Sequence, residues 1–319
     1  MSEPSEPMNG PAAAPSPTGP SSSPQGPGPG AGSSALASRR QRQETEASAA
    51  RASRAGRNLP AAITVGVLLL GGALVGLLWA PIVLAVLVIA LLLLGVYETA
   101  HALSSRGVQV PVTPLWIGAV LMPLGAYFGG IEALVLALAI TLLVILLWGV
   151  SRGSAGRGES VMGSVFVAVW VPFFLSFAVA LLRLDDGNLM VACMLLMVVS
   201  NDTFGYLVGA RFGRHPMAPK ISPKKSWEGF LGSTVGSVVV GSLAVWLLLD
   251  DPWYIGALLG ALTVASATAG DFSESMVKRE LNIKDMGSML PGHGGAMDRL
   301  DSLVFSAPVA YMVFALPFG

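Results

Sequence analysis

Long apolar runs without charge, rather than spaced apolar stripes, fill most of the chain after residue 58. The first extends from Asn58 to Tyr97, and a single helix of this length would measure ~60 Å at ~1.5 Å per residue. That is about twice the thickness of the hydrocarbon core of a bilayer. Trp79-Ala80-Pro81 lies near the middle, where proline ends a helix and tryptophan suits the membrane interface. The run therefore predicts two membrane helices joined by a hairpin.

Further runs predict the remaining membrane helices. One of them, at about 188–209, is interrupted by Asn201 and Asp202. The others carry no charge and cover residues 107–131, 133–151, 160–182, 229–249, 252–270 and 302–319. Together the runs predict an all-α fold, a polytopic integral membrane helix bundle with about nine transmembrane helices.

The composition agrees with a membrane protein, since 53% of the residues are hydrophobic and only 12% are charged. Residues 1–58 differ, because Pro, Gly, Ser and Ala dominate them and almost nothing large and apolar occurs there. Such a segment cannot bury enough surface to offset its chain entropy. It also lacks the short apolar core and early basic region of a signal peptide. We therefore predict a disordered cytoplasmic tail at 1–58 and a transmembrane domain at 59–319.

The lysines and arginines predict the orientation of the chain in the membrane, because cytoplasmic connections are enriched in them. With the N-terminus in the cytoplasm, Arg183 is the only one of the 19 that falls outside. The others are Arg39, Arg40, Arg42, Arg51, Arg54, Arg57, Arg106, Arg152, Arg157, Arg211, Arg214, Lys220, Lys224, Lys225, Lys278, Arg279, Lys284 and Arg299. This bias supports nine spans, with both charged connections, 211–228 and 271–301, in the cytoplasm and the C-terminus outside.

The net charge gives no support to one class of partner, and the cysteine content excludes two kinds of site. The formal net charge is zero, which gives no argument for nucleic acid or for an acidic partner, and we expect no nucleic acid. Cys193 is the single cysteine, so an internal disulfide and a CxxC metal site are excluded. Because it lies inside an apolar run, we interpret it as a small core residue.

Two pairs of acids indicate chemistry near the C-terminal end. If the chain stays helical past residue 270, Asp271 and Glu274 share a face with Lys278 one turn beyond, and Asp298 and Asp301 have the same spacing. A lone pair would indicate an ordinary solvated helix end, where an acid at the N-terminus is favourable anyway. Two pairs around one charged loop between membrane helices favour a functional site. Such carboxylates could hold Mg²⁺ and leave its other positions to water and substrate phosphates.

The loop between these pairs contains LPGHGG at residues 290–295. Its glycines allow positive φ and close approach to a ligand, and consecutive backbone N–H groups could cradle a phosphate. Alone this is a weak signal, since Pro-Gly turns are common. His293 could be an acid, a ligand donor or a hydrogen-bonding turn residue, and the sequence leaves these three roles open.

Other polar positions lie earlier in the chain. The connection at 211–229 combines clustered bases, prolines and a tryptophan, which suggests an ordered phosphate-facing loop, although the positive-inside bias alone explains its charge. Asp202 is costly within a bilayer and should face the bundle interior or an aqueous cavity. Glu98 and His101, at the cytoplasmic end of the second helix, are interpreted as interfacial rather than catalytic.

Three segments, in this order along the chain, resemble the signature of a known enzyme family. They are Asn201-Asp202; ISPKKSWEG at 221–229; and Ser275-x-Val277-Lys278-Arg279 followed after four residues by Lys284-Asp285-x-Gly287 and then Leu290-Pro291-x-His293-Gly294-Gly295-x-x-Asp298-Arg299-x-Asp301. The chain resembles the phosphatidate cytidylyltransferases, the CDP-diacylglycerol synthases, over roughly residues 60–319. Ala296 departs from the pattern, since the family usually has a larger aliphatic residue there.

The resemblance implies transfer of CMP from CTP to phosphatidic acid, with CDP-diacylglycerol and pyrophosphate as products. It implies Mg²⁺ as cofactor and leaves a second metal or K⁺ open. The catalytic residues it implies are Asp271, Asp298, Asp301, Lys278 and His293. The metal ligands it implies are Asp271, Asp298, Asp301, Asp202 and Glu274. The substrate-binding residues it implies are Ser222, Lys224, Lys225, Lys278, Arg279, Lys284, Asp285, Gly294, Gly295 and Arg299.

Two other functions stay open at this point. A kinase that uses CTP on a polyprenol or isoprenoid alcohol would share the nucleotide, although the signature argues against it. A transporter would need essential charges near the bilayer midplane, whereas only Asp202 lies well inside an apolar run. We expect CTP, phosphatidic acid and membrane lipid as partners and the bacterial plasma (inner) membrane as location. A homodimer is compatible with the family.

Overall fold

The computed structural model describes residues 59–151, 157–290 and 294–315, and all of these belong to one structural unit, residues 57–319. The tail predicted to be disordered, residues 1–58, lies outside the described residues. His293 also lies outside them. The expectations for both therefore stay predictions.

The first two helices form the hairpin that the sequence predicts at Trp79-Ala80-Pro81. Helix α1 extends over Leu59–Leu78 and α2 over Pro81–Ser104. Pro81 occupies the first turn of α2, where a backbone N–H would have no partner within the helix. Helix α3 extends over Val112–Ser151 but is interrupted at Gly130, whose φ of 73° is not helical. The interruption falls where the runs 107–131 and 133–151 meet.

The next part of the chain contains a helical rod with one widened turn. Helix α4 extends over Arg157–Ala168, a π-helical turn over Val169–Phe173 and α5 over Phe174–Leu181. Pro172 lies inside the π-helical turn, which suits a residue that cannot donate a backbone hydrogen bond. Helix α6 follows over Gly187–Phe212 and stays helical through Asn201 and Asp202.

A short β-hairpin, which departs from the predicted all-α fold, leads from α6 to the next helix. Strand β1, Pro216–Ala218, pairs antiparallel with β2, Ser222–Ser226. Helix α7 starts immediately afterwards and extends over Trp227–Leu248. The Ser226 hydroxyl accepts a hydrogen bond from the Gly229 N–H at 3.1 Å and caps the first turn of α7. The cap fixes the hairpin against the start of α7.

The last two helices carry the acidic pairs. Helix α8 extends over Trp253–Glu280 and α9 over Met297–Ala315. Because α8 continues well past Gly270, Asp271, Glu274 and Lys278 lie on one regular helix, as their spacing in the sequence predicts. Arg106 Nε donates to the Leu281 carbonyl at 3.0 Å and satisfies an acceptor at the C-terminal end of α8.

Within the described part of the chain, six helical segments are long and apolar enough to cross a membrane. They are Pro81–Ser104, Val112–Ser151, Gly158–Leu181, Gly187–Phe212, Trp227–Leu248 and Trp253–Glu280. Ile63–Leu78 is a shorter apolar helix. The protein is therefore a helical membrane protein with multiple spans.

Glycines let the last helices approach one another closely. A Cβ atom on Gly256 of α8 would overlap the carbonyl of Gly241 in α7, so no larger residue fits without a shift. A Cβ atom on Gly270 of α8 would likewise overlap the carbonyl of Asp301 in α9. This second approach brings Asp271, the next residue of α8, to the side of α8 where α9 begins.

Candidate active site

Lys225 and Asp271 form the first ionic contact of the candidate site. The Lys225 ammonium pairs with Asp271 Oδ2 and also lies 5.1 Å from the centre of the Phe272 ring. The hydroxyl of Ser302 donates to Asp271 Oδ1 at 2.5 Å. The side chains of Lys225 and Asp271 are only 30% and 17% exposed, so solvent screens their attraction less than at an open surface. Asp271 thus joins the β-hairpin, α8 and α9 at one point.

Lys278 forms the second contact, between α8 and the start of α9. Its ammonium lies 2.5 Å from Glu274 Oε2 and 3.0 Å from Asp298 Oδ1. The Glu274 side chain is only 1% exposed, and a carboxylate buried to that degree needs a compensating cation or hydrogen bonds. Lys278 therefore neutralises two carboxylates that come from separate parts of the sequence.

Asp298 also holds the backbone of the loop that precedes it. The Met286 N–H donates to the carboxylate at 3.2 Å, and the Gly295 N–H donates to Oδ2 at 3.2 Å. Burial acts to raise the pKa of Asp298, but the hydrogen bonds from Lys278 and Met286 outweigh it, and the pKa lies below its ordinary value. Asp298 is thus held as an anion near the N-terminus of α9, where the helix dipole favours negative charge.

Glu98 is a second carboxylate that holds this loop, although its position in the sequence predicts only an interfacial residue. Its side chain is 2% exposed. Its Oε1 accepts the Met289 N–H at 3.2 Å and its Oε2 accepts the Met297 N–H at 3.1 Å. One sequence signal could have pointed to it: Glu98 is the acid that ends the long uncharged run of the first two helices.

Asp202 lines two cavities. The larger, about 310 Å³, is also lined by Ser222, Lys224, Lys225 and Asp271. The smaller, about 240 Å³, combines apolar and charged residues: Leu195, Val198, Val199, Asp298, Arg299, Asp301, Ser302 and Leu303. The expectation that Asp202 faces a cavity agrees with this placement. Asp271, Asp298 and Asp301 thus adjoin space that a ligand could enter, whereas the buried Glu274 lines neither cavity.

The remaining predicted residues are distributed around these contacts. Arg279 is exposed and donates to the Ile221 carbonyl at 3.5 Å, at the edge of the β-hairpin. Lys284 and Asp285 are exposed on the loop after α8. The Gly294 N–H donates to the Leu290 carbonyl at 3.1 Å, so this amide has a partner within the loop, as the Gly295 amide does at Asp298.

Negative charge is in excess where α8 meets α9. The carboxylate of Asp271 repels those of Asp202 and Asp301. Burial, followed by repulsion from Asp271 and Glu274, raises the pKa of Asp301 to about 8; Asp301 directly precedes the last apolar run. Among the described residues, Glu274 Oε1 is a buried oxygen without a hydrogen-bond partner. A cation or a proton bound among these carboxylates would relieve their repulsion.

A metal site built by the protein alone would require several ligand side chains close together. Within residues 59–151, 157–290 and 294–315, no three His, Cys, Asp or Glu side chains are grouped closely enough to hold a metal ion by themselves. Mg²⁺ commonly takes only one or two protein carboxylates and completes its shell with water and substrate phosphates. The oxygen donors and the excess negative charge therefore suit a site that substrate completes.

Comparison with known proteins matches nearly the same part of the chain as the sequence resemblance, which covers roughly residues 60–319. Residues 60–316 match the model of the "Cytidylyltransferase family". The "Phosphatidate cytidylyltransferase" of Mycobacterium bovis is 42% identical over 289 residues, which cover 83% of this chain and 90% of that protein. The protein of the same name from Mycobacterium leprae is 41% identical over 281 residues, 82% of this chain and 89% of its own length. Another from Aquifex aeolicus is 37% identical over 155 residues, 49% of this chain and 58% of its own length.

Proposed function

Because this chain belongs to the cytidylyltransferase family, we propose that the site around Asp271 and Lys225 transfers CMP from CTP to phosphatidate. The products are CDP-diacylglycerol and pyrophosphate. The observation that carries the proposal is the direct pairing of Lys225, from ISPKKSWEG, with Asp271 at the head of the C-terminal charged segment. Two motifs that are separated in sequence thus form one polar site beside a cavity.

The reaction requires positioning and charge neutralisation more than a strong base. A phosphate oxygen of phosphatidate is already largely anionic and attacks the α-phosphorus of CTP, while the bond from that phosphorus to the bridging oxygen breaks and pyrophosphate leaves. Lys225 and Lys278 supply positive charge at the site. We propose that both contact phosphate oxygens, assisted by Arg279, Lys284 and Arg299.

The two cavities support separate places for the two substrates. The larger cavity presents Ser222, Lys224 and Lys225, which suit a polyphosphate. The smaller cavity combines Arg299 with apolar residues such as Val198 and Leu303, which suits a lipid headgroup that carries acyl chains. We propose that CTP occupies the larger cavity and the phosphatidate headgroup the smaller one, with Asp202 between them.

Mg²⁺ is proposed as the cofactor, and a second metal or K⁺ is left open. Support comes from the excess of carboxylates at Asp271 and Asp301 and from the unpartnered buried oxygen of Glu274 among the described residues. When bound, Mg²⁺ would neutralise phosphate charge and stabilise the departing pyrophosphate. Asp271, Asp301, Asp298, Asp202 and Glu274 are its proposed ligands. Asp298 already accepts hydrogen bonds from three protein donors, Lys278, Met286 and Gly295, so its contribution would require an exchange of partners.

One variant tests the role of Lys225. We expect Lys225→Met to lower kcat/KM for CTP by about 10–100-fold, because a charged hydrogen bond is worth about 1.5–3 kcal/mol. Lys220→Met, an exposed lysine between the two strands, is the matched control and should retain the wild-type value. Turnover of purified protein in detergent measures both variants. Equal activity of the two variants would show that Lys225 does not contribute to the reaction.

We also propose nine spans in a bacterial plasma membrane, with the N-terminus and both charged connections in the cytoplasm and the C-terminus outside. The hairpin at Ala80 and the interruption at Gly130 support the count, and the distribution of lysine and arginine supports the orientation. A homodimer and the absence of a nucleic-acid partner stay predictions.

Cysteine labelling tests this orientation. In a Cys193→Ala background, which removes the single native cysteine, an impermeant maleimide applied to intact cells should label Asp185→Cys and not Lys220→Cys. Both positions are exposed, the first between α5 and α6 and the second in the β-hairpin. Lysis should make Lys220→Cys reactive as well. Labelling of Lys220→Cys in intact cells would contradict the proposed orientation.

A further inference from the structure

We infer that Glu98 is a positioning residue for phosphoryl chemistry at this site, because its carboxylate fixes the loop that joins α8 to α9. The expected effect on kcat rests on the proposed function. The expected effect on the hydrogen exchange of the loop does not. Glu98 belongs to α2, and it reaches backbone groups that lie 191 and 199 residues further along the chain. Its contacts are therefore tertiary and cannot be replaced by a local turn.

The Glu98 carboxylate bridges the two limbs of the loop, residues 286–290 before the glycine-rich segment and residues 294–297 after it. One oxygen accepts the N–H of Met289, before the glycine-rich segment, at 3.2 Å. The other accepts the N–H of Met297, after that segment and at the start of α9, at 3.1 Å. Between them the backbones of Leu290 and Gly294 exchange two hydrogen bonds of 3.0 and 3.1 Å. The carboxylate thus sets the spacing of the two limbs, which are also paired with each other through Leu290 and Gly294.

Asp298 forms a second bridge of the same kind. It accepts the N–H of Met286 on the first limb and that of Gly295 on the second. The two carboxylates together bind four loop amides, and Asp298 also binds Lys278. A change in the spacing of the limbs would therefore move Asp298 relative to Lys278. This link connects Glu98 to the charged residues of the site.

Two glycines show how closely the loop is fitted to Glu98. A Cβ atom on Gly287 would overlap the Glu98 carboxyl group, and one on Gly295 would lie 2.9 Å from Glu98 Oε2 and 2.5 Å from Asp298 Oδ2. Any larger residue at either position would push the loop away from the carboxylates. The glycines of this motif thus allow the backbone to approach the protein's own acids, in addition to any role towards a ligand.

Burial of a carboxylate is costly unless its charge is compensated by hydrogen bonds. An apolar side chain in this position would avoid that cost but would leave the amides of Met289 and Met297 without their acceptors. Glutamine would keep the size of the side chain but would replace one acceptor oxygen by an NH₂ donor, which cannot accept an N–H. Glu98→Gln therefore releases one limb with little change in volume.

The test compares Glu98→Gln with Glu159→Gln, which changes an exposed glutamate near the start of α4. We expect Glu98→Gln to lower kcat by about 10–100-fold, as is typical when the partners that orient a reactive group are removed. Its KM for CTP should change less than kcat, since Ser222 and Lys225 are unaltered. Hydrogen exchange in peptides that cover residues 286–297 should be faster, and peptides from α6 should be unchanged. Glu159→Gln should match the wild type in every measurement.

Two results would overturn the inference. The first is wild-type kcat, or wild-type exchange of the peptides that cover residues 286–297, in folded Glu98→Gln. The second is rapid exchange of the Met289 and Met297 amides in the wild-type protein, which decides the matter even if Glu98→Gln does not fold. If wild-type protein shows protected amides but no turnover of CTP, the proposed function fails while the role of Glu98 in holding the loop stands.

Discussion

Replacement of Asp271 by asparagine is expected to lower turnover of CTP by about 10³-fold. The variant keeps the shape of the side chain but removes the negative charge that pairs with Lys225 and that is proposed to hold Mg²⁺. Loss of one preorganised electrostatic group in an active site typically costs about 10²–10³-fold, and Asp271 is proposed to serve two such groups. The measurement is kcat of purified protein with saturating phosphatidate and Mg²⁺.

Glu280→Gln is the matched control for this variant. Glu280 is an exposed acid at the end of the same helix, outside the proposed site, and its amide should retain wild-type turnover. Ser302 should still donate to the asparagine oxygen, so the unfolding temperature of Asp271→Asn should stay close to that of the wild type. Turnover within a few-fold of wild type in folded Asp271→Asn would show that Asp271 is not part of the reacting centre.

Lys278→Met is expected to lower both stability and activity. The substitution leaves the buried carboxylate of Glu274 without its cation, and removal of one partner of a buried ion pair typically costs about 3–5 kcal/mol. It also releases Asp298, because Lys278 links the two acids. Thermal unfolding in detergent measures the first effect, and CTP turnover at a temperature where the variant is folded measures the second.

A double variant separates these two effects. In Glu274→Gln with Lys278→Met the uncompensated buried charge of Glu274 is gone, and most of the lost stability should return. Activity should not return, since the positive charge proposed to contact phosphate is still absent. Lys220→Met, which removes an exposed lysine, should leave the unfolding temperature unchanged. Recovery of activity in the double variant would show that Lys278 acts only through its pairing with Glu274.

The helices were largely predictable because a membrane imposes a simple rule on sequence. Apolar length and proline position predicted the hairpin at Trp79 to Pro81, and the structure confirms it. The β-hairpin at 216–226 was not predicted, because its strands are short, rich in lysine and proline, and lack alternation of apolar and polar residues. Its geometry depends instead on the Ser226 cap and on hydrogen bonds to neighbouring elements.

Local spacing predicted the contacts of the candidate site only where its residues share a helix, and the grouping of residues from separate elements followed from the family resemblance. The spacing of Asp271, Glu274 and Lys278 placed them on one face, and the structure has all three on α8. Pairing of Lys225 with Asp271 depends on tertiary packing, which no local spacing reports. Glu98 shows the limit most clearly, since its partners are distant backbone amides whose positions no sequence motif specifies.

The central claim is that the chain transfers a cytidylyl group, and the fate of two phosphorus labels in CTP tests it most directly. Purified protein with phosphatidate and Mg²⁺ should incorporate label from the α-phosphate of CTP into lipid and release label from the γ-phosphate as pyrophosphate. The Asp271→Asn variant should do neither. Label from the γ-phosphate in lipid would instead indicate a lipid kinase. Absence of both labels from lipid, in well-folded protein, would also contradict the account.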